Sequence, residues 1–160
     1  MVKRSVVSTL SALLMILMCV LPSPMMAQAP ANASTVNDIS GAYTFLREGE
    51  VLQLTVDDGQ LSGYISRFGD SDADKDQFID QFFDKATLEG DHLTFNTKMV
   101  HGVSYEFTGV ISTAAGKKPG EEGYHVVKGK LVQHRVDAYG AEKTQQRQVE
   151  FKSFPAEVNR

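Results

Sequence analysis

The stretch His92-Leu-Thr-Phe-Asn-Thr-Lys-Met99, turning at His101-Gly102 into Val103-Ser-Tyr-Glu-Phe-Thr-Gly-Val-Ile111, decides the fold class. Leu93, Phe95, Thr97 and Met99 alternate with His92, Thr94, Asn96 and Lys98. Val103, Tyr105, Phe107, Gly109 and Ile111 then fall on one side, opposite Ser104, Glu106 and Thr108. A period of two is that of a strand with one face buried, and a short glycine-bearing turn between two such runs makes a hairpin.

The same grammar extends in both directions. Upstream, Ala42 to Arg47, Glu50 to Val56 and Gln60 to Phe68 alternate, with turns at Glu48-Gly49 and Asp58-Gly59. Asp-Gly between two alternating runs favours a type I′ turn, whose central residues both need positive φ. Lys85 to Glu89 turns at Gly90-Asp91 into the quoted stretch. Downstream, Tyr124 to His134 and Lys143 to Ser153 are joined through Asp137 to Gly140. The expectation is an all-β chain of eight antiparallel strands in an up-and-down meander. Closing the meander as a small barrel removes both exposed edges; a two-layer sandwich is the alternative.

Three segments repeat the order apolar, any, Gly, any, apolar: Leu61 to Ile65, Phe107 to Ile111 and Val127 to Leu131. Glycine weakens a strand interior unless the strand bends sharply or another backbone comes close. The repeat therefore predicts kinked, closely packed strands.

The alternation breaks from Gly69 to Phe83. Phe78, Ile79, Phe82 and Phe83 sit at i, i+1, i+4 and i+5, which predicts one stripe of a short helix between the third and fourth strands. Such a helix would cover one barrel end, as a fixed plug or as a lid. Asp70, Asp72, Asp74 and Asp76 precede it, with the alternate spacing of oxygen ligands in a calcium loop. As an EF-hand the loop fails: Lys75 stands where glycine is required and Gln81 where a bidentate glutamate is required. A solvated acidic loop, partly capping the helix, is the competing reading.

This layout resembles the calycin-type barrels of the lipocalin or avidin kind, by strand order over about residues 39–153. The chain has no Gly-x-Trp signature and no tryptophan. Ser40-Gly-Ala-Tyr43, Gly69-Asp-Ser-Asp72 and Phe82-Phe83 are similar to segments of small secreted bacterial proteins of unassigned function. The resemblance implies a β-barrel and brings no activity with it.

The chain's start reads as an export signal over residues 1–29. Lys3 and Arg4 precede an uncharged apolar run from Val6 to Leu21, and Ala27-Gln28-Ala29 supplies a small-x-small cleavage pattern. The densest apolar run, Leu10 to Leu21, is short for a membrane span. Residues 30–38 read as a flexible leader, 39–154 as the barrel and 155–160 as a tail. A secreted or periplasmic location follows, with no stable membrane insertion after cleavage. The single cysteine, Cys19, lies in the signal, so the exported chain holds no disulfide or thiolate metal site. Loss of Lys3 and Arg4 takes the formal charge from −4 to −6, which opposes nucleic-acid binding.

The chain carries no Gly-x-Ser-x-Gly, His-Glu-x-x-His or phosphate-loop motif. Arg67 shares parity with Leu61, Gly63 and Ile65, and His125 with Val127, Gly129 and Leu131, so both point inward near a strand end. With Tyr105 inside and Phe78 and Phe82 on the covering helix, they form a candidate site for a small apolar or acidic ligand. The functional expectation is a non-catalytic exported binding protein. The alternative is a cell-envelope interaction module using the acidic loop, with Asp70, Asp72, Asp74 and Asp76 as calcium ligands and calcium as the one candidate cofactor.

Overall fold

In the computed structural model, which describes residues 39–71 and 74–156, the alternating runs form eight strands. They are β1 (Gly41–Thr44), β2 (Val51–Asp57), β3 (Gln60–Phe68), β4 (Phe78–Glu89), β5 (His92–Thr97), β6 (Val103–Thr113), β7 (His125–Val136) and β8 (Glu142–Lys152). Each strand pairs antiparallel with the next, in the order β1 to β8. Asp58 and Gly59 take φ of 48° and 77° at the β2–β3 turn, as the Asp-Gly signal requires. The signal and leader readings, Asp72, and the tail beyond residue 156 lie outside the described residues.

The strand glycines serve close packing. Gly109 and Gly129 are directly paired across β6 and β7. A Cβ on Gly109 would lie 2.2 Å from the Lys128 carbonyl oxygen, and one on Gly129 2.3 Å from that of Thr108. The Phe107 ring lies over both positions, 2.5 and 2.8 Å from those same Cβ sites. Any side chain here would displace backbone and ring together.

That ring belongs to an aromatic chain through the core. Phe83 stacks on Phe95 at 4.4 Å between centroids and Phe95 on Phe107 at 5.2 Å. Phe107 meets Phe151 at 5.8 Å, Phe151 meets Phe45 at 5.2 Å, and Phe45 meets Tyr105 edge-on at 5.4 Å. Leu52, Leu54, Ile65, Leu93, Val127 and Leu131 fill the space around these rings. Offset and edge-to-face contacts of this kind each add about 1 kcal/mol to the burial of the rings.

Two expectations are corrected. The meander curls as a half-barrel and does not close as a barrel, and its single continuous sheet is not the alternative sandwich. The first and last strands meet through one bridge, Tyr43↔Ser153. Flanking it, the Phe154 amide donates to the Ala42 carbonyl at 2.8 Å and the Lys152 amide to Thr44 Oγ1 at 3.0 Å. β1 is only four residues long. Beyond Thr44 the backbone goes into a turn in which the Glu50 amide donates to the Arg47 carbonyl, so no ladder can form along the rest of β8. The edge this leaves, from Glu142 to Gln148, is polar and exposed, and water can satisfy it.

The predicted helix is also absent: the described residues contain none, and Phe78 to Phe83 begin β4. Phe68↔Phe78 through Tyr64↔Phe82 pair in register with β3. Ile79, Gln81 and Phe83 face inward, while Phe78, Asp80 and Phe82 face outward. Aromatic side chains on both faces of one strand imitate helical spacing, and the backbone bonds available from β3 favour the strand. Phe78 and Phe82 are 58% and 59% exposed, so they cover no barrel end.

Candidate functional site

Inward parity brings a group of polar side chains to the end of the half-barrel where β3 finishes and β4 and β6 begin. Glu50 shares the inner face with Leu52 and Leu54 and is 2% exposed. Its carboxylate accepts from Arg47 Nε at 2.8 Å and from the amides of Arg47 at 3.0 Å and Phe68 at 3.1 Å. A buried carboxylate is tolerated only with such a set of donors. It pins the β1–β2 turn, where Gly49 takes φ of 85°, onto the end of β3.

Arg67 is 1% exposed, as its parity with Ile65 predicts. Its Nε donates to Gln81 Oε1, and its Nη1 to the Phe68 carbonyl at 3.1 Å. Nη2 reaches the Val100 carbonyl at 3.4 Å. Gln81, fully buried, donates in turn to the carbonyls of Val103 at 2.8 Å and Lys98 at 3.2 Å. One guanidinium and one amide thus tie β3 and β4 to the turn before β6.

Just past β3, the Asp70 carboxylate meets three guanidinium groups: Arg135 at 2.8 Å, Arg67 at 3.3 Å and Arg47 at 3.4 Å. Arg67 is buried, but Arg135 is 42% exposed and Asp70 is its one described partner. Tyr105 lies in the same field. Burial pushes its phenol up; Arg67 opposes the rise, while Asp70 and Glu50 add to it. The Tyr105 hydroxyl accepts from Gln133 at 3.3 Å, and Gln133 accepts from Arg147 at 3.4 Å, which carries the polar inner face on to β8.

The loop after β3 folds over Gly69, whose Cβ would lie 2.0 Å from the Asp74 carbonyl oxygen. Asp74 Oδ1 accepts from the Ser71 hydroxyl at 2.6 Å and amide at 2.7 Å, and Oδ2 faces His101 Nδ1 at 2.8 Å. The Ser71 hydroxyl, then His101, then the Ser71 amide hold the Asp74 carboxyl well below the usual carboxylate range. His101 sits in the turn before β6 at φ of 50°. Arg67, His101 and Arg135 line a shallow cleft of about 300 Å³ together with the carboxylates of Asp70, Asp74 and Asp137.

The expected site residues are thus divided. Arg67 and Tyr105 share the polar end. His125 is buried at the opposite end, by the β1–β8 seam, where its amide donates to Ser153 Oγ at 3.1 Å and its ring meets Tyr124 at 4.6 Å. Phe78 and Phe82 lie on the outer face. Of the aspartates, Asp70 is held by arginines, Asp74 by Ser71 and His101, and Asp76 stands exposed in a turn. No group of three or more His, Cys, Asp or Glu side chains among the described residues is arranged to hold a metal ion. Sequence reasoning passed over Glu50, which carries the same signal as Arg67, a polar residue at inward parity. Arg135 lies one residue past the predicted strand, and Gln81 falls in the stretch where alternation could not be read.

The chain matches no protein-family model, no curated protein and no solved structure.

Proposed function

We propose that this chain is an exported, non-catalytic, calycin-like binding protein whose arginine-lined end takes a small acidic ligand. One observation carries the reading: the Asp70 carboxylate is already gripped by three guanidinium groups. An arrangement that holds one carboxylate can hold another beside it, because guanidinium donors match planar acid groups in pairs. Arg135, with much of its side chain in the cleft, is the group available to a ligand; Arg67 and Glu50 hold the surrounding shape. A cleft of about 300 Å³ suits a small acid and not a lipid chain.

Thermal melts and calorimetric titrations with acetate, succinate and inorganic phosphate test this. An acid that binds should raise the melting temperature in a concentration-dependent way. Arg135→Gln should remove that shift while leaving the unliganded melt nearly unchanged. No shift with any of the three acids, or an equal shift in Arg135→Gln, would show the cluster to be purely structural.

A further inference from the structure

The outer face of the β3–β4 ribbon stands apart from the acid cleft. Three register pairs follow one another on it: Tyr64↔Phe82, Ser66↔Asp80 and Phe68↔Phe78. The Tyr64 and Phe82 rings are 5.5 Å apart and the Phe68 and Phe78 rings 4.5 Å apart. Asp80 therefore projects between two aromatic pairs, and it has no hydrogen-bond or ion-pair partner among the described residues. The pairing of β3 with β4 stops at Tyr64↔Phe82, and beyond it the strands part around a groove of about 470 Å³ lined by Tyr64, Phe82, Phe83 and Ala86, with Asp84 and Lys85 also on its wall.

Phe78 and Phe82 are exposed and rest against the half-buried rings of Phe68 and Tyr64; a contiguous aromatic patch of this kind marks an interaction surface. We infer that this face docks a segment of a partner protein that presents a lysine or arginine beside an apolar side chain. The charge is set by Asp80, whose carboxylate would pair with the cation while the flanking rings offer it their negative faces. The aromatic surface already holds one cation in this way: the Arg47 guanidinium lies 5.6 Å from the Phe68 ring centroid. The groove takes the neighbouring apolar group. A second copy of this chain fits less well, because its formal charge of −4 opposes self-association through an acidic face.

The test uses three synthetic peptides, alternating leucine with lysine, with serine or with glutamate, titrated into the labelled protein and followed by backbone chemical shifts. The lysine peptide should perturb Tyr64, Phe68, Phe78, Asp80 and Phe82, and should bind at least about tenfold more tightly than the other two. Asp80→Asn should erase the preference for lysine over serine, and Phe78→Ser with Phe82→Ser should abolish binding. These positions are exposed, and Asp80→Lys, which should transfer the preference to the glutamate peptide, serves if the double variant melts early. Equal binding of the lysine and serine peptides would overturn the proposal. So would perturbations scattered over other acidic residues, or a wild-type dimer that dissociates on Phe82→Ser.

Discussion

Two neighbouring parts of one sheet distribute their aromatic residues differently: one keeps its rings inside, the other turns most of them outward and only Phe83 inward. Across β5 and β6 the rings of Phe95, Tyr105 and Phe107 point inward, with His92, Thr94, Glu106 and Thr108 outward. In the first half of β4 and the end of β3, Phe78, Phe82, Tyr64 and Phe68 point outward while Arg67 and Gln81 are buried. The first arrangement is what the hydrophobic effect alone produces. The second must satisfy every buried polar atom and leaves apolar area in water, so it costs stability that packing has to offset. The contrast separates a part of the chain that makes the fold from a part that presents chemistry on both faces.

Substitutions on the two sides should differ accordingly, and chemical denaturation measures the difference. Phe107→Ala removes a ring from the middle of the aromatic chain and should cost about 4 kcal/mol. A loss below about 1 kcal/mol would mean the core is not continuous through that ring. Arg67→Ala leaves Gln81 Oε1 and part of Asp70 without donors at the buried polar end, and should cost about 3 kcal/mol. If Arg67→Met proves as stable as the parent, the guanidinium contributes nothing net to the fold.

A smaller, pH-dependent effect is expected at the loop. The folded Asp74 carboxyl lies below its unfolded value, so its contribution is complete above about pH 4 and is lost as pH falls from there toward the depressed folded value. Asp74→Asn should therefore lower the melting temperature at pH 6, and the gap to the parent should narrow steadily from pH 4 to about pH 2. A gap that stays constant with pH would assign the loss to packing. The smallest change belongs to the outer face: Phe78→Ser should shift stability by no more than about 0.5 kcal/mol, despite removing a ring as large as that of Phe107.

Much of this fold can be read directly from residue types. Strand number, the order of the hairpins and the inward direction of Arg67 follow from a period of two, a local property of the chain. The glycines at 63, 109 and 129 likewise announce close backbone contact before any partner is known. The error at β4 has a specific origin. With Ile79 and Phe83 on one face and Phe78 and Phe82 on the other, the residues repeat at one and four, and alternation disappears from the apolar pattern. Glu50 sat at a legible inward position but gained meaning only from its donors, and Gln81 was hidden by the same loss of alternation.

Outside the first half of β4, the sequence alone determined the ribbons and which side of each faces the core, because side-chain direction in a strand depends on nothing beyond counting. The tertiary structure decided that the sheet stays open and that Asp70 meets Arg135, sixty-five positions further on. Register and curl control both outcomes. They are sums over the pairing and packing of the whole sheet, and no single stretch of the chain encodes them.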